Sequence, residues 1–201
     1  MKNDIKSQRE TIVKTAILDA AETLIKTQGF TAVNIRAIAK TIGYSPGNIY
    51  KYFDSKQAII NAVIERGYTQ LMTEIRMDRQ HIKNPIERII TSFTIYIKHV
   101  LKDPVFYRAV MLDNSKEAIN KTGVLDQDLI IRRPQFITLI NTIKEAQSNK
   151  QLNSKLDPVL TAQTLWTATH GLLMRLIIEG PIDENVKDKL LHHHFALLLK
   201  S

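Results

Sequence analysis

Cysteine is absent from the chain, so neither a disulfide framework nor a thiolate metal site is open to it, and the sequence suits a reducing cytosol. Long apolar runs are missing as well. The stretches "LLMRLIIEG" and "FALLLKS" are too short or too interrupted to span a bilayer. The opening "MKNDIKSQRE" has no apolar core and does not read as a signal peptide, so the expectation is a soluble, cytoplasmic protein with no membrane contact. No stretch of useful length alternates polar and apolar residues, which argues against strands. Catalytic signatures are lacking too: there is no G-x-S-x-G elbow, Walker loop, GxGxxG or HExxH, and no cysteine nucleophile. No catalytic residue is assigned, no cofactor is expected, and the reading is not an enzyme. The run His192-His193-His194 invites a metal, but consecutive helical residues diverge by roughly 100°, so three neighbours do not converge on one ion and no metal site is assigned.

What is present is a normal globular balance: 201 residues, 44% hydrophobic and 24% charged, enough for one large domain or two small ones. The net charge is +8, and residues 1–66 hold ten Lys/Arg against six Asp/Glu. Half the excess therefore sits in the first third of the chain. A basic N-terminal unit of this kind points to a polyanionic partner.

Helical punctuation dominates. From about Gln8 to Thr27, Val13, Ile17, Ala20 and Leu24 recur at the spacing of one buried helix face, and Gly29 stops the run. Asn34 suits the N-cap of a short second helix whose Ile38, Ala39 and Ile42 face inward, and Gly43 ends it. Ser45 can cap a third helix by accepting the amide of Gly47 or Asn48, with Pro46 at the first helical position, where its missing N–H costs nothing. That helix is expected to run from Pro46 to Phe53. Asp54 and Gln57 form a plausible capping pair for a long helix from Lys56 to about Gln80. Further helices are expected over roughly 85–102, 104–113, 134–150, 158–178 and 183–199, with the polar stretch 113–130 hard to place.

Two short helices joined by a three-residue turn containing glycine describe a helix-turn-helix. Its second helix has almost no core face. Ile49 and Phe53 share one side, while Gly47, Asn48, Tyr50 and Lys51 point away. That outward set suits DNA. Gly47 permits close backbone approach, Asn48 can read base edges, Lys51 can donate to guanine or phosphate, and Tyr50 and Tyr52 offer hydroxyls to phosphates. Lys56 adds a phosphate contact at the start of the next helix, and the helix N-termini at Asn34 and Ser45 add backbone N–H groups and positive dipole.

Residues 29–67, "GFTAVNIRAIAKTIGYSPGNIYKYFDSKQAIINAVIERG", resemble the N-terminal signature of the TetR-type bacterial transcriptional regulators. The resemblance rests on Gly29-Phe30, Ile38-Ala39, Gly43, Ser45, Gly47, Tyr50, Phe53 and Lys56. Val33 departs from the usual Thr, Tyr52 from the usual His, and Ile59 or Ile60 from the usual Leu; the first removes one phosphate contact, and Asn34 can serve as cap instead. A weaker resemblance lies in "LDPVLTAQTLWTATHG", with its Trp166, His170 and Gly171.

The resemblance implies an all-α protein. Residues 1–55 would be a three-helix helix-turn-helix DNA-binding domain with a basic arm at 1–8, and 56–201 a larger helical ligand-binding and dimerisation domain. It implies a homodimer, joined through the two C-terminal helices, on palindromic double-stranded operator DNA. Most such regulators are repressors, released when a small inducer moves the two heads apart. Phe93, Tyr96, Phe106, Tyr107, Met111, Trp166, His170 and Met174 are the candidate lining of a pocket for a largely apolar inducer of unknown identity, although any one of them can equally be core. The alternative is a DNA-binding regulator governed by a protein partner or by no small molecule.

Overall fold

A proline at the first helical position behind a short polar side chain marks several helix starts, and the computed structural model, which describes residues 2–112 and 123–199, keeps them. Among the described residues every element is helical. The helices are α1 (Lys2–Gln28), α2 (Ile35–Thr41), α3 (Pro46–Ile49), α4 (Lys56–Arg79), α5 (Pro85–Lys102), α6 (Pro104–Leu112), α7 (Gln127–Ile130), α8 (Pro134–Ser148), α9 (Pro158–Glu179) and α10 (Glu184–Leu199), with a 3-10 turn at Phe30–Ala32. Asn84 Oδ1 accepts the amides of Ile86 and Glu87 ahead of Pro85. Asp157 Oδ1 accepts those of Val159 and Leu160 ahead of Pro158. Each such cap contributes about 1 kcal/mol.

Three local expectations change. The first helix begins at Lys2 rather than near Gln8, so the basic arm expected at 1–8 is helical backbone from Lys2 onward. α3 closes at Ile49 instead of Phe53, and the chain continues in tight turns, with Tyr52 and Phe53 both donating to the Ile49 carbonyl at 2.9 and 3.1 Å. Ser55, not Asp54, caps α4: its Oγ accepts the Ala58 amide at 3.0 Å, while Gln57 turns to Asn61. Of the polar stretch 113–130, residues 113–122 lie outside the described residues, and Asp126 caps α7 through the Leu129 amide.

The described chain divides into two compact units. The first holds residues 1–70 and 105–112, the second 71–104 and 113–201. The boundary expected between residues 55 and 56 falls at the start of α4, inside the first unit.

In the first unit one apolar cluster joins Val13, Ile17, Ala21 and Ile25 of α1 to Val33, Ile38, Ala39, Ile49, Ile59 and Val63. Arg66 of α4 binds Asp19 Oδ1 at 2.6 Å and also pairs with Glu22, both on α1. Burial alone would raise the Glu22 pKa, but hydrogen bonds from Lys26 and Arg66 outweigh it and hold the carboxyl below its usual range. Partly exposed pairs of this kind contribute about 1 kcal/mol or less. They set the position of α4 on α1, while the apolar cluster provides the bulk of the stability.

In the second unit α5 packs on α8 and α9, and α10 packs on α5. Ile89, Phe93 and Ile97 meet a core completed by Phe136, Ile143, Leu165, Leu173 and Phe195, all buried.

Candidate nucleic-acid interface

The segment from Asn34 to Lys56 is built so that its inner face closes and its outer face stays open. Asn34 stands in extended backbone, accepts the Ala37 amide at 2.8 Å and donates to the Ala32 carbonyl at 3.0 Å, which fixes where α2 begins. Ile35, Ile38 and Ala39 face the core, and Arg36 and Lys40, one turn apart, face outward and exposed. At the end of α2, Gly43 has a φ of 70°. That left-handed conformation is cheap only for glycine, and it lets the Tyr44 amide reach back to the Ala39 carbonyl at 2.9 Å. Tyr44 then packs half-buried on the core cluster.

Pro46 occupies the first turn of α3 as expected, but Ser45 does not cap it with its side chain. Its backbone carbonyl accepts the Asn48 amide at 3.0 Å instead. The Ser45 side chain, Pro46 and Gly47 are left exposed. A methyl group placed on Gly47 would meet nothing within 4 Å, so nothing among the described residues demands a glycine there. Ile49 is fully buried and anchors α3 alone. Around it Asn48 is half-buried, Tyr50 is 54% exposed and Lys51 is exposed.

Tyr52, expected to offer its hydroxyl to phosphate, is less open than Tyr50. Its ring is half-buried and packs with Phe53 against the core cluster, because the chain leaves the helix after Ile49 and the turn swings residue 52 inward. Lys56, half-buried, opens α4. Arg36 and Lys40 were not among the expected contacts. Their signal was present as two basic residues four apart on a helix whose other face is apolar. Arg36, Lys40 and Lys51 form no ion pair among the described residues. The result is an open face carrying three free cations, an exposed tyrosine, an amide and a glycine, which can accept phosphates and base edges.

The candidate ligand residues are divided between the two units. Phe106, Tyr107 and Met111 belong to the first unit, where Phe106 packs on the core cluster and comes within 4.0 Å of a Cβ built on Gly67. In the second unit Trp166 stacks against Tyr96 at 5.0 Å, Phe136 at 5.5 Å and Phe93 at 6.2 Å between ring centroids. Trp166, His170 and Met174 form a half-buried row at helical spacing on α9. Burial pushes the His170 pKa down. Gly171 is exposed with open space around it, so no helix crosses it closely among the described residues. A cavity of about 260 Å³ lies elsewhere in this unit, lined by Arg79, Arg88, Thr138, Asn141, Thr142 and Glu145. Of the three consecutive histidines, His192 and His193 are exposed, whereas His194 turns inward to the Thr169 hydroxyl at 3.0 Å.

Comparison with known proteins agrees with this geometry. Residues 17–63 match the family described as bacterial regulatory proteins, tetR family. An uncharacterised HTH-type transcriptional regulator of Mycobacterium tuberculosis is 31% identical over 100 residues, half of this chain and half of that relative. The chain thus spans about half the length of that relative. The HTH-type transcriptional regulator UidR of Escherichia coli is 24% identical over 80% of this chain and 79% of its own length. Among solved structures, a TetR family transcription regulator from Marinobacter aquaeolei superposes with a TM-score of 0.69 at 18% identity, covering 96% of this chain and 97% of that one, which shows the fold.

Proposed function

The chain belongs to the TetR family of bacterial regulatory proteins, and on that premise we propose that it is a homodimeric repressor of transcription that binds a palindromic operator and is released by a small ligand. The observation that carries the DNA-binding part is α3 itself. Ile49 alone faces the core, and Gly47, Asn48, Tyr50 and Lys51 are left to a second molecule. In this reading α3 enters the major groove. Asn48 and Lys51 meet base edges, and Tyr50, Lys56, the Ser45 side chain and the N-termini of α2 at Asn34 and α3 at Pro46 hold phosphates. Arg36 and Lys40 join the phosphate contacts. Tyr52 packs against the core, which positions the turn after α3, and offers its hydroxyl to a phosphate.

Dimerisation is supported by the outer faces of the last two helices. Val186, Leu190, His193 and Leu197 lie exposed at helical spacing along α10, and Leu160 and Ile178 lie exposed on α9. An apolar row of this kind is costly in water and fits the same row of a second copy in a four-helix bundle. Two copies would present two α3 helices to half-sites about one helical turn, ~34 Å, or more apart. The inducer, small and largely apolar, would enter the second unit against the half-buried row of Trp166, His170 and Met174, next to Phe93 and Tyr96. To move the dimer from almost fully bound to almost fully released it must prefer the released state by about 5.5 kcal/mol.

A gel-shift series with genomic fragments, on wild type and on Lys51→Ala, tests the first claim. Discrete shifted fragments that Lys51→Ala loses are expected; uniform weak retention of all fragments by both proteins would sink it.

A further inference from the structure

We propose that the second unit carries a site for a small oxyanion, a carboxylate or phosphate group, in the cleft between the last turn of α4, the first turn of α5 and one face of α8. The cleft measures about 260 Å³, just under the roughly 300–1,000 Å³ of pockets that hold drug-sized ligands, so its occupant is small. α4 contributes Arg79, α5 contributes Arg88, and α8 contributes Thr138, Asn141, Thr142 and Glu145. Those four α8 positions share the 3–4 spacing of one helix face.

Two guanidinium groups face one carboxylate, which leaves one positive charge over. Arg88 pairs with Glu145 through one terminal nitrogen, yet its Nε is buried and has no hydrogen-bond partner. Arg79 is half-buried and pairs with no carboxylate among the described residues. Burial, and after it the charge of Arg88, pushes the Arg79 pKa below its ordinary value, so the cation sits in a setting that disfavours it. The threonine hydroxyls add no free donor to the cleft. Thr138 and Thr142 already donate their protons to the carbonyls of Pro134 and Thr138, each at 2.8 Å. The donors that remain are the guanidinium N–H groups and the Asn141 amide, a set that recognises an anion with several acceptor oxygens. None of these residues belongs to the DNA-facing surface or to the aromatic row, so the proposal stands apart from the ligand reading above.

Isothermal titration of the full chain with sodium phosphate and with sodium acetate, at ionic strength held constant with sodium chloride, reads the site directly. The expected result is saturable binding of one anion per chain; a stronger response to phosphate or to acetate assigns the tetrahedral or the planar group. Arg79→Gln should weaken binding by about tenfold or more, the loss expected for one charge-assisted hydrogen bond. Glu145→Gln should tighten it, because the carboxylate that competes for Arg88 is gone. Lys155→Ala, which removes an exposed cation of the same unit that does not line the cleft, should leave it unchanged. No saturable binding of either anion overturns the proposal. So does a Glu145→Gln variant that binds no better, or loss of binding in Lys155→Ala with retention in Arg79→Gln.

Discussion

Ile49 is the residue on which the proposed DNA-facing surface depends, since it alone ties α3 to the core. Ile49→Ala should cost about 2–5 kcal/mol of stability, as for other fully buried aliphatic side chains, and a denaturant melt would read this. Gly47 makes the opposite case. It sits in a helix with open space where a side chain would go, so Gly47→Ala should leave the melting temperature unchanged or raise it slightly, while operator affinity falls in a titration of the same protein. Equal affinity for the two proteins would show that no DNA approaches Gly47. Among the flanking residues, Tyr50→Phe and Lys56→Ala should weaken binding to every sequence alike, whereas Asn48→Ala and Lys51→Ala should alter the preference between sequences. Binding curves on operator and random duplex separate the two classes.

At the scale of the elements, α10 is the most exposed test. Leu197 is 68% exposed on the described chain; paired with Leu190→Glu, Leu197→Glu should convert the proposed dimer to monomers in sedimentation equilibrium, because each glutamate would have to enter an apolar seam uncompensated. Between α9 and α10, His194 meets Thr169, and burial lowers its pKa from an ordinary 6.5. Its folded value lies below its unfolded one, so the unfolded chain binds the extra proton first as pH drops. Stability is therefore full above about 6.5 and declines as pH falls below it. His170 adds the same sign. Melting curves from neutral to mildly acidic pH should slope accordingly, and His194→Gln should flatten the slope.

Helix boundaries were largely legible because caps and prolines are local chemistry: Asn34, Asn84-Pro85 and Asp157-Pro158 each declare a start without help from the fold. The end of α3 was not legible, because Tyr52 and Phe53 leave the helix to follow a core assembled from three other elements. The same limit applied to the aromatic residues. Spacing marks Phe93, Tyr96 and Trp166 as inward, but only packing shows them pressed on one another. Phe106 and Tyr107 joined the first unit through contacts distant in sequence. The Arg79–Arg88 cleft was invisible for the same reason, since its charges come together from three helices.

For the whole molecule, the net charge of +8 is divided between a first third that carries the proposed DNA-facing surface and a remainder that carries as much excess on a longer chain. Affinity for DNA should accordingly fall steeply with salt, and removing one phosphate-contacting lysine should lower the slope of log K against log salt by about 1. Two units, each with its own core, are what the proposed division between DNA binding and its control requires. The most direct measurement is recovery of genomic fragments by the purified protein at moderate salt, followed by footprinting of those retained. The account predicts a small set of fragments sharing an inverted repeat, with half-sites about one helical turn or more apart, and their loss in Lys51→Ala. Failure to retain any fragment above background, or equal retention by Lys51→Ala, would contradict it.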